Sequence, residues 1–177
     1  MRKFLRIICI LVGVLFIVSG FVKAVDPVGF SIKLDEYFEV FAADTESVGF
    51  ISAFFLWLTN ISIYLSMFFC VLEMVLGFML VFGIRMELTS WLLLLIIVFF
   101  TWLTGYSAVT GKVTDCGCFG DAMKLTPWQS FNKDIVLMVF ILIIFAFRQK
   151  IKPVFEGNYT STLLLTVFTV ASAYLTI

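Results

Sequence analysis

The ten residues Trp91–Phe100, WLLLLIIVFF, carry no charge and a single polar group, the indole of Trp91. They form the centre of a longer apolar run, Leu88–Val109. A run of this length matches the roughly 20 apolar residues that a helix needs to cross a bilayer. Working outward, the same pattern returns at Phe4–Val22, Ile61–Ile84, Phe131–Phe147 and Ser161–Ile177. The chain reads as an all-α, polytopic transmembrane bundle of four core spans plus a fifth, C-terminal span. Composition agrees: 62% of the 177 residues are hydrophobic, 22 are Phe and only 3 are Pro, and the mean hydropathy is +1.12. A soluble domain is about 45–50% apolar.

Two further segments flank the second span. Phe30–Phe41, FSIKLDEYFEVF, sets Phe30, Leu34, Tyr37, Phe38 and Phe41 at helical spacing, with Lys33, Asp35, Glu36 and Glu39 around them. It is too polar to span and predicts an amphipathic helix on the membrane face or over the bundle mouth. Val48–Ile84 as one helix would be about 55 Å long at about 1.5 Å per residue, so a break near Thr59-Asn60 is expected. Thr126 before Pro127 predicts a helix N-cap followed by Pro at the first helical position. The N-terminus only loosely resembles a signal peptide: its apolar run is long, and Lys23 sits beside the would-be cleavage site. It is read as a retained first helix.

Charges set the expected orientation. One set of helix ends holds Arg2, Lys3, Arg6, Arg85, Arg148, Lys150 and Lys152 with Glu87 and Glu156. The opposite set holds five basic and nine acidic residues, Lys23 and Asp134 counted among them. Lys and Arg favour the cytoplasmic side. The expectation is a multi-pass protein of a bacterial inner (cytoplasmic) membrane, N-terminus cytoplasmic, with the amphipathic segment and the 114–121 loop outside. Net charge is zero, which gives no basic footprint for nucleic acid.

That loop, Thr114-Asp115-Cys116-Gly117-Cys118-Phe119-Gly120-Asp121, carries most of the recognisable chemistry. The chain contains no His, which removes the usual general base and the commonest metal ligand. Cys116 and Cys118 are the candidate catalytic pair. A Cys-x-Cys disulfide closes a very small ring; strain would make it labile and suited to exchange. Two reduced structural thiols, a loop staple and a metal site are the competing readings, the last weakened because a closed zinc site wants four Cys or His ligands. Cys9 and Cys70 lie in apolar runs, where a thiol is usually a small hydrophobe.

Glu73 is the second feature. A carboxylate inside a span is expensive unless neutral, paired or facing a cavity. Cys70 and Gly77, at i−3 and i+4, share its helix face. Glu73 with Cys70 is the candidate cofactor side, a quinone being the cofactor considered and none being fixed by the sequence. The competing reading is an interhelical hydrogen bond, with Asn60, Ser66, Thr101 and Thr104 as possible partners.

The stretch TDCGCFGDAMKLTPWQSFNKDIVLMVFILIIF resembles the signature of the MauE (methylamine utilisation) family and its DoxX-like relatives. FLRIICILVGVLFIVSGFVKAVDPVGF resembles their first helix and following loop, and LEMVLGFMLVFGIR their second span. The resemblance covers most of the chain, and Cys-Gly-Cys-Phe-Gly-Asp is its specific part. It implies a four-helix membrane domain over 1–147, a cytoplasmic connector over 148–160 and a fifth span over 161–177 leading to an exported C-terminal region absent from this sequence. It also implies a role in maturation of exported proteins beside a thioredoxin-like partner. The leading expectation is a membrane thiol–disulfide oxidoreductase. The alternatives are a non-enzymatic assembly subunit of an envelope complex and a small transporter using Glu73.

Overall fold

The computed structural model describes residues 2–113, 126–151, 153–154 and 158–176. Among these there are seven α-helices and no strand. They are α1 (Arg2–Val25), α2 (Pro27–Asp44), α3 (Gly49–Thr59), α4 (Ser62–Phe82), α5 (Met86–Thr110), α6 (Pro127–Ala146) and α7 (Asn158–Leu175). Helices α1, α4, α5 and α6 are long and apolar enough to cross a membrane. The chain is a multi-pass, all-α membrane protein.

The breaks fall where the backbone chemistry changes. Asp26 caps α2 by accepting from the Gly29 N–H, with Pro27 opening the helix. Helix α3 ends at Thr59 and α4 restarts at Ser62, so the expected interruption at Thr59-Asn60 is present. At 11 residues, α3 is about 16 Å long, too short to span. Gly83, at φ 70°, ends α4 in the left-handed region that Gly enters without a side-chain clash. Thr126 caps α6 in a reciprocal capping box with Gln129, Pro127 following, as the sequence predicts.

Packing pairs α1 with α4 and α5 with α6. The first pair meets backbone to backbone. A Cβ on Gly77 would lie 2.5 Å from the Gly13 carbonyl oxygen, and one on Gly20 would lie 2.8 Å from that of Cys70. Small residues at such crossings let membrane helices approach closely, where dispersion contacts replace the absent hydrophobic driving force. Helix α7 packs on α4, with Phe168 stacked on Phe78 at 4.4 Å between centroids.

Helix α2 lies across the bundle mouth. Phe30, Leu34, Tyr37, Phe38 and Phe41, the residues at helical spacing, are all buried. Phe41 stacks on Trp102 and meets Tyr106 edge-on, both on α5. Ser66 of α4 donates to the Pro27 carbonyl at 2.6 Å. Asp44 accepts from both Tyr106 and Lys112. These contacts bring α2, the start of α4 and the end of α5 to one end of the bundle. At the other end the Val154 N–H donates to the Phe82 carbonyl at 3.0 Å, holding the segment after α6 beside the α4–α5 turn and Arg85.

Candidate functional site

Cys116 and Cys118 lie outside the described residues. The structure does describe both edges of their loop. On one side Ser107 donates to the Val113 carbonyl at 2.5 Å, and Val113 is buried. On the other side stands the Thr126 cap. Both edges sit at the α2 end of the bundle, since Gly105 near the end of α5 packs on the Phe131 ring near the start of α6.

Glu73 is buried at 3% exposure. Its partner is Lys23, whose ammonium donates to both carboxylate oxygens at 2.5 and 2.6 Å and to the Ser19 hydroxyl oxygen at 3.2 Å. This corrects two sequence expectations. Lys23, counted with the charges at the helix ends, is 2% exposed. The polar residues considered as partners of Glu73 are engaged elsewhere or stand apart: Ser66 donates to Pro27, Asn60 to the Leu56 carbonyl and Thr104 to Asp134, while the Thr101 hydroxyl has no hydrogen-bond partner. The physical reason is the course of the chain. Helix α1 runs on to Val25, so Lys23 is carried into the α1–α4 contact, and α2 folds back over it. The ammonium rests 5.2 Å from the Phe30 ring centroid and 5.1 Å from that of Phe100. The two rings exclude water and favour the cation by their quadrupoles. A buried charge is tolerated when it is paired and hydrogen-bonded.

Cys70, Glu73 and Gly77 do share one face of α4, and that face meets α1: Cys70 packs at Gly20, Glu73 at Lys23 and Gly77 at Gly13. Cys70 is a fully buried free thiol, and so is Cys9.

A second buried acid stands nearby. Asp134 on α6 is 2% exposed, accepts from the Thr104 hydroxyl at 3.0 Å and is ion-paired with Lys133 at 3.0 Å. Counted with the outer charges by sequence, it is instead carried inward by a helix that begins at Pro127. The sequence signal was its place two turns past the Thr126-Pro127 start, in register with Ser130, which the structure shows fully buried.

Lys23, Glu73, Lys133 and Asp134 line one cavity of about 510 Å³ between α1, α4, α5 and α6. Ser19 joins them at the polar end, and Phe16, Phe100 and Phe140 stand among the apolar walls. Cys70 is not among its lining residues. Among the described residues no group of three or more metal-ligating side chains converges.

Outside the spans, the Lys112 ammonium and then the Tyr106 hydroxyl hold the Asp44 carboxyl below its usual range by hydrogen bonding to its ionised form. Asp44 in turn holds Lys112 above its ordinary value. Burial pushes the Tyr37 phenol up to about 12, so it stays neutral beneath the helix cover.

No curated protein and no solved structure was found to match the chain. Residues 1–147, well over half of the chain, match the family described as methylamine utilisation protein MauE. With four membrane-length helices and this match, the chain belongs to the MauE family of membrane proteins.

Proposed function

We propose that the protein is an inner-membrane thiol–disulfide component acting on exported proteins through Cys116 and Cys118. In this reading a thiolate of a thioredoxin-like exported partner attacks the Cys116–Cys118 disulfide and forms a mixed disulfide, releasing one loop thiol. The partner's second thiolate resolves it, leaving the partner oxidised and the loop a dithiol. A quinone in the membrane takes the two electrons and two protons that restore the loop disulfide. The cofactor side of the bundle is the one marked by Glu73; Cys70, on the same face of α4, packs against α1 outside the cavity.

The observation that carries this reading is the position of the loop's edges. Val113 and Thr126 sit at the α2 end, opposite Arg6, Arg85 and Arg148. Basic residues favour the cytoplasm, which supports a loop that faces the oxidising compartment, where such exchange operates. Family membership supports a membrane role in methylamine utilisation, and the thiol chemistry is our extension of it.

The test is alkylation trapping in cells carrying Cys116→Ser or Cys118→Ser. One of the two should accumulate a mixed disulfide with an exported protein, and the double substitution should accumulate none. Absence of any mixed disulfide, with the redox state of exported proteins unchanged, would contradict the proposal.

A non-enzymatic assembly role is the second reading, and α3 is what favours it. None of its residues is buried, and Phe50, Phe54 and Trp57 are exposed. A stoichiometric envelope partner that stays bound after loss of both loop thiols would support that reading over exchange.

A further inference from the structure

We propose that the cavity beside the Lys23–Glu73 pair is a binding site for an isoprenoid quinone that enters from the bilayer between α1 and α6. This names the ligand class, the seat and the route for the redox reading above. The choice of a quinone rests on that reading; the cavity and its route rest on geometry.

Size and shape come first. About 510 Å³ falls within the usual 300–1,000 Å³ of small-molecule sites. The polar lining residues are Ser19 and Lys23 in the last two turns of α1, Glu73 midway along α4, and Asn132, Lys133 and Asp134 in the first two turns of α6; the rest of the wall is apolar, which fits a molecule with a compact polar head and a long apolar tail. The head must also be uncharged. Lys23 is matched by Glu73 and Lys133 by Asp134, so the polar end holds two neutralised pairs. A phosphate or carboxylate there would be buried with no surplus cation to offset its desolvation. A flat ring with carbonyl oxygens makes no such demand, and Phe16, Phe100 and Phe140 offer it aromatic surface.

The route follows from the helix pairing. Helix α1 packs chiefly on α4, and α6 on α5, with much thinner contact between α1 and α6. Leu11 and Leu15 of α1 and Val136 and Phe140 of α6 line the cavity and are also exposed on the outside of the bundle. These helices are membrane-length, so their exposed apolar faces meet lipid. The slit between them is therefore a lateral opening, through which a tail can remain in the bilayer while the ring reaches Ser19 and the ion pairs.

The experiment titrates menaquinone-4 into the purified full chain in mild detergent and follows quenching of its tryptophan fluorescence. Saturable binding with one quinone per chain is expected. Leu15→Trp and Val136→Trp each fill the slit from its outer rim and should weaken binding at least tenfold while leaving the melting temperature unchanged. Leu95→Trp, on a lipid-exposed part of α5 away from the slit, should bind as the parent does. No saturable binding, or equal binding by the two slit variants and the parent, would overturn the proposal. So would co-purifying phospholipid that menaquinone-4 fails to displace. The Cys116→Ser/Cys118→Ser double variant should bind normally. Quinone binding by the parent, with no partner trapped by either single cysteine variant, would sink thiol exchange and leave the site standing, whereas trapped partners without quinone binding would sink the site alone.

Discussion

Lys23 and Glu73 stand 50 residues apart in the chain and share two hydrogen bonds within 2.6 Å, inside a membrane bundle. The pair joins the last turn of α1 to the middle of α4 and forms part of the polar end of the cavity. Removing one partner strands the other charge, which for a buried pair costs about 3–5 kcal/mol. Glu73→Ala and Lys23→Met should each lose about that much in reversible unfolding from mixed micelles. The double variant Lys23→Met/Glu73→Leu should recover most of the loss, because apolar side chains of similar size satisfy the same space. Full additivity of the two single effects would contradict the pairing.

The α1–α4 crossing should be intolerant of a methyl group. Gly77→Ala would drive its Cβ onto the Gly13 carbonyl, and Gly20→Ala would drive its own onto that of Cys70. Overpacking of this kind typically costs about 1–3 kcal/mol. Gly49→Ala is the control, since nothing lies within 4 Å of its Cβ position. Melting temperatures should fall for the first two and not for the third.

The start of α6 depends on one hydroxyl. Thr126 accepts from the Gln129 N–H, and the Gln129 side chain accepts from the Thr126 N–H. Thr126→Ala should cost about 1 kcal/mol and Thr126→Ser should restore it. Hydrogen exchange over 127–131 reads the effect where it arises.

The Asp44–Lys112 contact gives a pH dependence with a defined sign. Asp44 is held below the usual carboxylate range in the folded protein, so its contribution is complete above the unfolded value and is lost as pH falls through the folded one. Lys112 is held above its ordinary value, so its contribution is complete below the unfolded value and is lost as pH rises through the folded one. Between those limits α2 stays tied to the segment after α5. Both groups are well exposed, so the effect is small and falls with added salt. Exchange at Lys112 and Val113 should rise on acidification in the parent, and Asp44→Asn should remove that acid dependence.

The helices were legible because apolar runs, the Thr126-Pro127 start and the Thr59-Asn60 interruption are local signals. The buried face of α2 was legible too, from five apolar residues at helical spacing. Glu73 was recognisable as out of place in a span, and its shared face with Cys70 and Gly77 was correct. Its partner was not recognisable. The reach of Lys23 depends on how far α1 continues and on α2 folding across it, and neither is written near Glu73. Asp134 was misplaced for a related reason: two turns into α6, it groups by sequence with the loop charges, and only the packing of α5 and α6 turns it inward. The cavity has no sequence signature, because it is the space left where two tightly packed helix pairs diverge. The cysteines of 116–118 were legible as chemistry and lie outside the described residues.

In the proposed function Cys116 and Cys118 meet the oxidising compartment as an exchangeable pair. A Cys9→Ser/Cys70→Ser background leaves them as the chain's remaining thiols, and intact cells are treated with a membrane-impermeant maleimide before and after mild reductant. The expected result is no labelling before reduction and two labels per chain afterwards, without permeabilisation. Labelling that needs permeabilised cells, or that ignores the reductant, would contradict it.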